Sequence, residues 1–222
     1  MTNAATAATA APAALAAGST REQILAVARG FIETRSYLGF SFQDVADAVG
    51  VRKASLYHHF ATKEALGIAV IRAATQGFKD WDAARAREPR DALESYFRMY
   101  RNTLRAGSAV CPAGALAPGW DVINDELRLA VQDLRNTQVT WLTGVLGALA
   151  SEQGTRDKAD QAAKTTKADN APKTPKARRT SVASLAAYVF SVCQGALLSA
   201  RMTGRVEDFD EAIAQLRSSL PG

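Results

Sequence analysis

The two histidines of the chain, His58 and His59, are adjacent in the run KASLYHHFATKEAL, close to Ser55. Such a group could bind a metal ion or activate the serine as a nucleophile. Neighbouring residues of a helix point about 100° apart, so the two imidazoles do not share a face. No Cys, Asp or Glu lies at the i, i+4 spacing of a helical zinc pair, and no carboxylate is placed to orient His59. The pattern therefore predicts no catalytic residue, no metal ion and no cofactor here.

The same run has the apolar spacing of a helix-turn-helix. Within FQDVADAVGVRKASLYHHF, the residues spaced to converge on one core are Val45, Val49, Val51, Leu56 and Phe60. Ala46 is small where two helices would cross, and Gly50 permits the positive φ that a sharp turn needs. In this motif the second helix enters the major groove of DNA. The spacing thus predicts a surface that reads DNA.

Removing the core positions leaves cations, hydroxyls and ring donors, which suit phosphates and base edges. The N-terminal end of a helix also carries a partial positive charge that favours a nearby phosphate. Lys63 would reach the DNA backbone from the start of the following helix. The predicted DNA-contacting residues are Ser41, Gln43, Arg52, Lys53, Ser55, Tyr57, His58, His59 and Lys63.

The elements that must position this surface are all predicted to be helices, because the chain has no sustained period-2 alternation. The first starts at Thr20, interpreted as an N-cap with Gln23 three residues later, and ends near Ser36. Ser41 and Thr62 are predicted to cap the second and fourth helices. Later helices are predicted at about 91–107, 122–149, 182–203 and 207–220.

Charge and cysteine content restrict the environment of the 222-residue chain, whose net charge is +5. Residues 156–179 carry eight Lys/Arg and three Asp, so 8 − 3 = +5, and this one segment accounts for the surplus. It has no apolar period and is predicted to be a mobile linker. Two cysteines are too few for a disulfide framework, which favours a reducing cytoplasm. The uncharged stretch 181–200 contains several polar residues and is predicted to be a buried helix, not a membrane span.

The stretches TREQILAVARGFIE and SFQDVADAVGVRKASLYHHFATKEALG resemble the TetR family of bacterial transcriptional regulators. Two positions depart from the family pattern: Arg52 replaces the usual Ser or Thr at the start of the recognition helix, and Ser36 replaces a common glycine. The resemblance implies an all-α homodimer that binds a double-stranded operator and a small-molecule inducer. We therefore expect a disordered tail over 1–18, a three-helix helix-turn-helix domain over 19–66, and a helical ligand-binding and dimerisation domain over 67–222, with a linker at about 152–180.

The remaining sequence, CPAGALAPGWDVINDELRLAV with WLTGVL, resembles a branch that includes electrophile-responsive repressors, some with a cysteine at the position of Cys111. The alternative interpretation of Cys111 is a small residue that packs in the core. Aromatic side chains would add an apolar pocket, which suits small, mostly neutral organic inducers. The predicted ligand-binding residues are Tyr96, Tyr100, Cys111, Trp120 and Trp141.

A stripe of Leu185, Val189, Val192 and Ala196 lies on one of the last two helices, which form the dimer interface in this family. Two alternative functions stay open on the sequence. One is a metal-dependent hydrolase or metal-sensing protein that uses the histidine pair. The other is a nonspecific DNA-coating protein that binds through its lysine-rich segment.

Overall fold

The computed structural model describes residues 18–84, 88–105, 110–164 and 181–220, and every regular element in those ranges is a helix. The predicted all-α fold is therefore confirmed. The helices are α1 (Thr20–Arg35), α2 (Phe42–Val49), α3 (Lys53–His59), α4 (Lys63–Ala83), α5 (Pro89–Arg105), α6 (Pro112–Ala115), α7 (Asp125–Lys164), α8 (Val182–Thr203) and α9 (Val206–Ser219). Two 3₁₀ turns, Tyr37–Gly39 and Ala117–Gly119, follow α1 and α6.

The start of α1 differs by one residue from the predicted cap. Ser19, not Thr20, is the N-cap: the backbone N–H of Glu22 donates to the Ser19 hydroxyl at 3.4 Å. The Glu22 carboxylate in turn accepts the backbone N–H of Ser19 at 2.8 Å. The prediction was wrong here because two overlapping pairs, Ser19–Glu22 and Thr20–Gln23, fit the same capping pattern, and the charged Glu22 is the better acceptor.

Helix α7 extends further than the sequence predicts. It continues to Lys164, so residues 152–164 of the predicted linker belong to a helix. Ala and Lys are strong helix formers and extend an existing helix without apolar periodicity. The rest of that segment and the predicted disordered tail, apart from Gly18, lie outside the described residues.

Two apolar clusters divide the buried side chains. The first joins α1 to α4 with α6 and the first part of α7, and the second joins the end of α4 with α5, the middle of α7, α8 and α9. Helix α4 contributes Leu66 and Ile71 to the first cluster and Phe78 to the second. The packing therefore crosses the predicted domain boundary at residue 66, because α4 belongs to both clusters.

Among the described helices, α8 is long and apolar enough to cross a membrane. In the structure it packs against α7 and α9, with Ala186, Val189 and Cys193 completely buried. Its outward stripe is formed by other residues: Tyr188, Leu198 and Met202 are more than half exposed. The small residues Ser191 and Gly195 lie on the same stripe between Tyr188 and Leu198. The stripe predicted for the dimer interface thus lies partly inside the protomer, since Val189 and Ala196 pack in its own core.

Candidate DNA-binding surface and ligand cavity

The turn between α2 and α3 is fixed by its own sequence. Gly50 adopts φ 79° and ψ 30°, a left-handed conformation that glycine takes without steric cost. Its N–H donates to the carbonyl oxygens of Ala46 at 2.9 Å and Asp47 at 3.3 Å. The Val51 N–H also donates to Ala46, at 3.0 Å. These bonds satisfy the end of α2 and set the direction in which α3 leaves the turn.

Helix α3 is anchored from beneath by Leu56, whose side chain is completely buried with Phe42 and Val45 in the first cluster. Tyr57, the next residue, is half exposed, and its ring lies 5.0 Å from that of Phe42. A helix of seven residues has little stability alone, so this packing holds it in place. This packing therefore fixes the position of α3 and leaves its polar face exposed to solvent.

The predicted DNA-contacting residues at α3 differ in their exposure. Arg52, Lys53 and His58 are exposed, while Ser55 and His59 are half-buried. The imidazole centroids of His58 and His59 are 6.2 Å apart with their planes at 74°. Within the described ranges, no three His, Cys, Asp or Glu side chains group as metal ligands. The geometry gives the metal and hydrolase alternatives no support.

Residues flanking α3 make contacts within the protein. Ser41 caps α2: its hydroxyl donates to the Asp44 carboxylate at 2.7 Å, which lowers the pKa of Asp44. The Gln43 amide donates to Asp47 at 2.7 Å. The Lys63 ammonium donates to the Phe40 carbonyl and lies 4.4 Å from the centre of the Phe40 ring. The structure therefore directs Lys63 towards the 3₁₀ turn, and burial lowers its pKa.

A cavity of about 230 Å³ lies between α1, α4, α5, α7 and α8. Its lining is mostly apolar, as expected for a site that binds small organic molecules. The lining residues are Arg29, Ala74, Gly77, Phe78, Trp81, Met99, Tyr100, Thr103, Cys111, Pro112, Leu134, Gln138 and Leu197. Two of the five predicted ligand-binding residues, Tyr100 and Cys111, are among them.

The other three predicted ligand residues lie elsewhere. Tyr96 is fully buried behind the lining, with its ring 4.9 Å from that of Tyr100. The Trp141 indole stacks on Tyr96 and donates to the Asp82 carboxylate at 2.8 Å. Trp120 packs against the first cluster. Aromatic composition therefore indicated the region of the cavity, but only tertiary packing distinguishes its lining from the layer behind it.

A hydrogen-bond network connects two lining residues, Tyr100 and Gln138, to the layer of side chains behind them. The hydroxyls of Tyr96 and Tyr100 donate to the Gln138 side-chain oxygen at 3.0 and 2.9 Å. The Gln194 amide donates to the Tyr100 hydroxyl at 3.1 Å. Burial raises the pKa of both tyrosines well above 10.0, so these hydroxyls stay protonated. Sequence reasoning missed Gln138, although a glutamine among the apolar positions of α7 was the available signal.

The two cysteines have different surroundings. Cys111 precedes α6 and lines the cavity, although its side chain is largely buried. Cys193 lies inside the second cluster, and burial raises the pKa of its thiol to about 12. The thiolate is the nucleophilic form, so Cys193 is inert at neutral pH. The predicted packing role fits Cys193, and Cys111 alone is positioned to contact a ligand.

The C-terminal end of α1 is hydrogen-bonded to α8, and the residue after it to α6. The Arg201 guanidinium of α8 donates to the carbonyl oxygens of Glu33 at 2.8 Å and Thr34 at 2.6 Å. The Ser36 hydroxyl donates to the Ala115 carbonyl of α6 at 3.2 Å. Ser36 has φ 67°, a region that favours glycine. Its hydroxyl makes a contact with α6 that a glycine at this position could not make. The junction was not predicted, because its acceptors are main-chain atoms that no sequence pattern marks.

Comparison with known proteins places this geometry in context. A family model described as "Bacterial regulatory proteins, tetR family" matches residues 24–70. The HTH-type transcriptional repressor KstR2 of Mycobacterium tuberculosis is 37% identical over 70 residues, which cover 32% of this chain and 33% of that protein. The match therefore spans about a third of the length of this curated relative.

Solved structures of similar fold cover nearly the whole chain. A TetR-family regulator from Agrobacterium tumefaciens superposes with a TM-score of 0.74 at 22% identity, covering 91% of this chain and 98% of its own. The structure of AibR in complex with isovaleryl coenzyme A and operator DNA has a TM-score of 0.64 at 20% identity, covering 91% and 99%. At these identities the likeness shows the fold.

Proposed function

We infer that this chain, a member of the TetR family of bacterial regulators, is a homodimeric transcriptional repressor released from its operator by a small organic inducer. The observation that carries this proposal is the short helix α3, fixed by buried Leu56 and exposing Arg52, Lys53 and His58. Such an arrangement suits the major groove, where cations and ring donors meet phosphates and base edges. We assign the chain a binding role in the cytoplasm and no catalytic step.

Dimerisation would place two copies of α3 in successive major grooves, about 34–36 Å apart. The exposed stripe of Tyr188, Leu198 and Met202 on α8 supports an interface there, because apolar side chains separated by small residues let helices approach closely. We propose that α8 and α9 of two chains form this interface. Tyr188→Glu should then give monomers in analytical ultracentrifugation and weaken operator binding at the same protein concentration.

The inducer site is proposed to be the cavity, since it lies beside α1 and α4, the helices that carry the DNA-binding helices. A ligand acts by binding one arrangement of the dimer more tightly than the other. AibR, whose fold is similar, was crystallised with both an acyl coenzyme A and operator DNA. An inducer that bound in the cavity would favour a separation of the two α3 helices that does not match the operator.

The experiment that tests the proposal maps binding of the purified chain across genomic DNA fragments, followed by mobility shifts at increasing salt. We expect the chain to bind a few palindromic sites with affinity well above that for random DNA. One of these sites should lie upstream of the gene that encodes the chain. Deleting residues 165–180 should leave these specific complexes intact. Absence of any preferred site would contradict the regulator, and loss of all binding on deletion would favour a nonspecific DNA-coating protein.

A further inference from the structure

The described lining of the cavity carries a positive charge and no negative charge. Of the described residues that line it, only Arg29 carries a charge, and none is an Asp or Glu. Arg29 belongs to α1 and its side chain is half exposed, so it lies at the mouth of the cavity. A mostly apolar cavity with one cation at its mouth favours an apolar molecule that ends in an anionic group.

The Arg29 guanidinium retains unused donors. Its Nε donates to the Glu33 carboxylate at 2.7 Å, one turn along α1. Its two terminal nitrogens form no hydrogen bond with any described residue. Guanidinium binds carboxylates through pairs of N–H groups, so these nitrogens can accept a ligand carboxylate while the bond to Glu33 remains.

Inside the cavity a second donor is unused. Gln138 is only 4% exposed, and its side-chain oxygen already accepts from Tyr96 and Tyr100. Its amide nitrogen makes no hydrogen bond within the described part of the chain. Because Gln138 lines the cavity, this N–H is available to an oxygen atom of a ligand. The two tyrosines hold the amide so that its oxygen faces them.

We propose that the cavity binds a small organic carboxylate: the carboxylate pairs with Arg29, and the apolar body lies among Phe78, Trp81 and Met99. A cavity of 150 Å³ accepts benzene, so one of about 230 Å³ suits roughly ten non-hydrogen atoms. This departs from the mostly neutral inducers that composition suggested. The inference rests on the proposed role of the cavity as the inducer site, and it gives that site a direct contact with α1.

The test measures direct binding to the purified full-length chain, by calorimetry and by tryptophan fluorescence, to which Trp81 in the cavity lining contributes. The probes are two acids of about ten non-hydrogen atoms, phenylacetate and octanoate, each paired with its primary amide of nearly the same shape. We expect each acid to bind at least about tenfold more tightly than its amide, because a charge-assisted hydrogen bond is stronger than a neutral one. The preference should decrease as salt increases, since Arg29 is half exposed.

Two variants separate recognition of the anion from general effects of the ion pair. Arg29→Gln removes the cation and should erase the preference for acids over amides. Glu33→Gln breaks the same Arg29–Glu33 pair but leaves the cation in place, so it should keep or increase the preference. Arg29→Lys should restore part of it. If Glu33→Gln and Arg29→Gln lose acid binding equally, the ion pair alone matters and the proposal fails.

Equal affinity for acid and amide, or unimpaired acid binding by Arg29→Gln, would also overturn the proposal. So would the absence of saturable binding of both acids up to millimolar concentration. These measurements use no DNA, so the outcomes are separable from those of the proposed function. A chain that binds its operator but neither acid keeps the regulator and loses this ligand class. A chain that binds the acids but no operator would keep this ligand class and lose the regulator.

Discussion

Nη1 of Arg201, near the end of α8, donates to the main-chain oxygen of Glu33, near the end of α1, across 2.8 Å. This bond and its neighbour to Thr34 connect the helix that precedes the DNA-binding turn to the proposed dimer helix. Both acceptors are among the last carbonyls of α1, which have no partner within the helix. The negative end of the α1 dipole also favours a cation there.

Arg201→Met should therefore weaken the link between α1 and α8. We expect a loss of about 1–3 kcal/mol in the free energy of unfolding, because hydrogen bonds from a charged donor contribute about that much. Urea unfolding of both proteins at one protein concentration measures it. Arg205→Met is the matched control: Arg205 makes only an exposed pair with Asp208 at 3.4 Å, and its loss should cost under about 1 kcal/mol. Equal losses in both variants would contradict the role of the junction.

Gly67 of α4 lies close to α7 and to the 3₁₀ turn after α1. A Cβ at this position would lie 3.1 Å from Cε2 of Tyr37 and 3.2 Å from Cδ2 of Leu127. Gly67→Ala should therefore be less stable than a Gly→Ala change at an open helix position, because overpacking costs about 1–3 kcal/mol and the gain in helix propensity offsets about 1 kcal/mol of it. In Gly144→Ala, on α7, the added methyl group meets no atom within 4 Å. That control should be neutral or up to about 1 kcal/mol more stable, since alanine favours helix. Thermal unfolding distinguishes the two, and a stabilised Gly67→Ala would contradict the close packing.

His58→Ala should weaken operator binding without affecting folding, because its imidazole is on the exposed face of α3. Loss of one base or phosphate contact costs about 1–3 kcal/mol of binding, or roughly fivefold to 150-fold. Leu56→Ala is the contrasting variant, since it empties a fully buried position and should cost about 2–5 kcal/mol of stability. Mobility shifts and urea unfolding are measured on both. If His58→Ala bound the operator as tightly as the unchanged chain, this residue would not be part of the reading surface.

Cys111 provides a test of the electrophile hypothesis, because its side chain lines the cavity. If the inducer reacts with this thiol, N-ethylmaleimide should release the unchanged chain from DNA and leave Cys111→Ser bound. Cys193→Ser is the matched control and should respond as the unchanged chain does, since its thiol is buried away from solvent. If the same reagent also releases Cys111→Ser from DNA, the thiol-sensor hypothesis is wrong. The cavity would then remain a site for ligands that bind without a covalent bond.

Stability at alkaline pH should depend on Cys193. Burial raises the pKa of its thiol from 9.0 to about 12, so between these values the unfolded chain has lost the proton that the folded chain retains. The free energy of unfolding therefore decreases as pH rises from 9 towards 12. Tyr96 and Tyr100, whose pKa values are also raised, contribute in the same direction. Cys193→Ala should show a shallower decrease in urea unfolding between pH 8 and pH 11, and equal slopes would contradict the raised pKa.

The N-terminal third of the chain was largely predictable because its determinants are local. Ser41, Gly50 and Thr62 set helix ends by short-range hydrogen bonds or by backbone freedom, and the structure has a helix boundary at each. The N-cap of α1 was predicted at Thr20 instead of Ser19 because both residues fit the same local capping pattern. The length of α7 was missed for a related reason: helix propensity extends a helix where no apolar pattern requires one.

The cavity was only partly predictable, because it depends on which of several similar side chains faces inward. Tyr96 and Tyr100 are one helical turn apart and both aromatic, yet only Tyr100 lines the cavity. Arg29 had no feature to distinguish it from the other arginines, since its role arises where α1 passes the regulatory helices. Long-range packing supplies that information, and a helical period does not contain it.

The sequence by itself determined the two helices of the DNA-binding motif, the turn at Gly50 and the outward polar face of α3, because each follows from residues within about one or two turns of one another. Tertiary structure alone decided that Arg201 bonds to the end of α1 and that Arg29 and Gln138 share a cavity. It also decided that Tyr188, not Val189, faces outward on α8. These relationships join residues distant in sequence, and they are fixed only when the apolar faces of several helices are buried together.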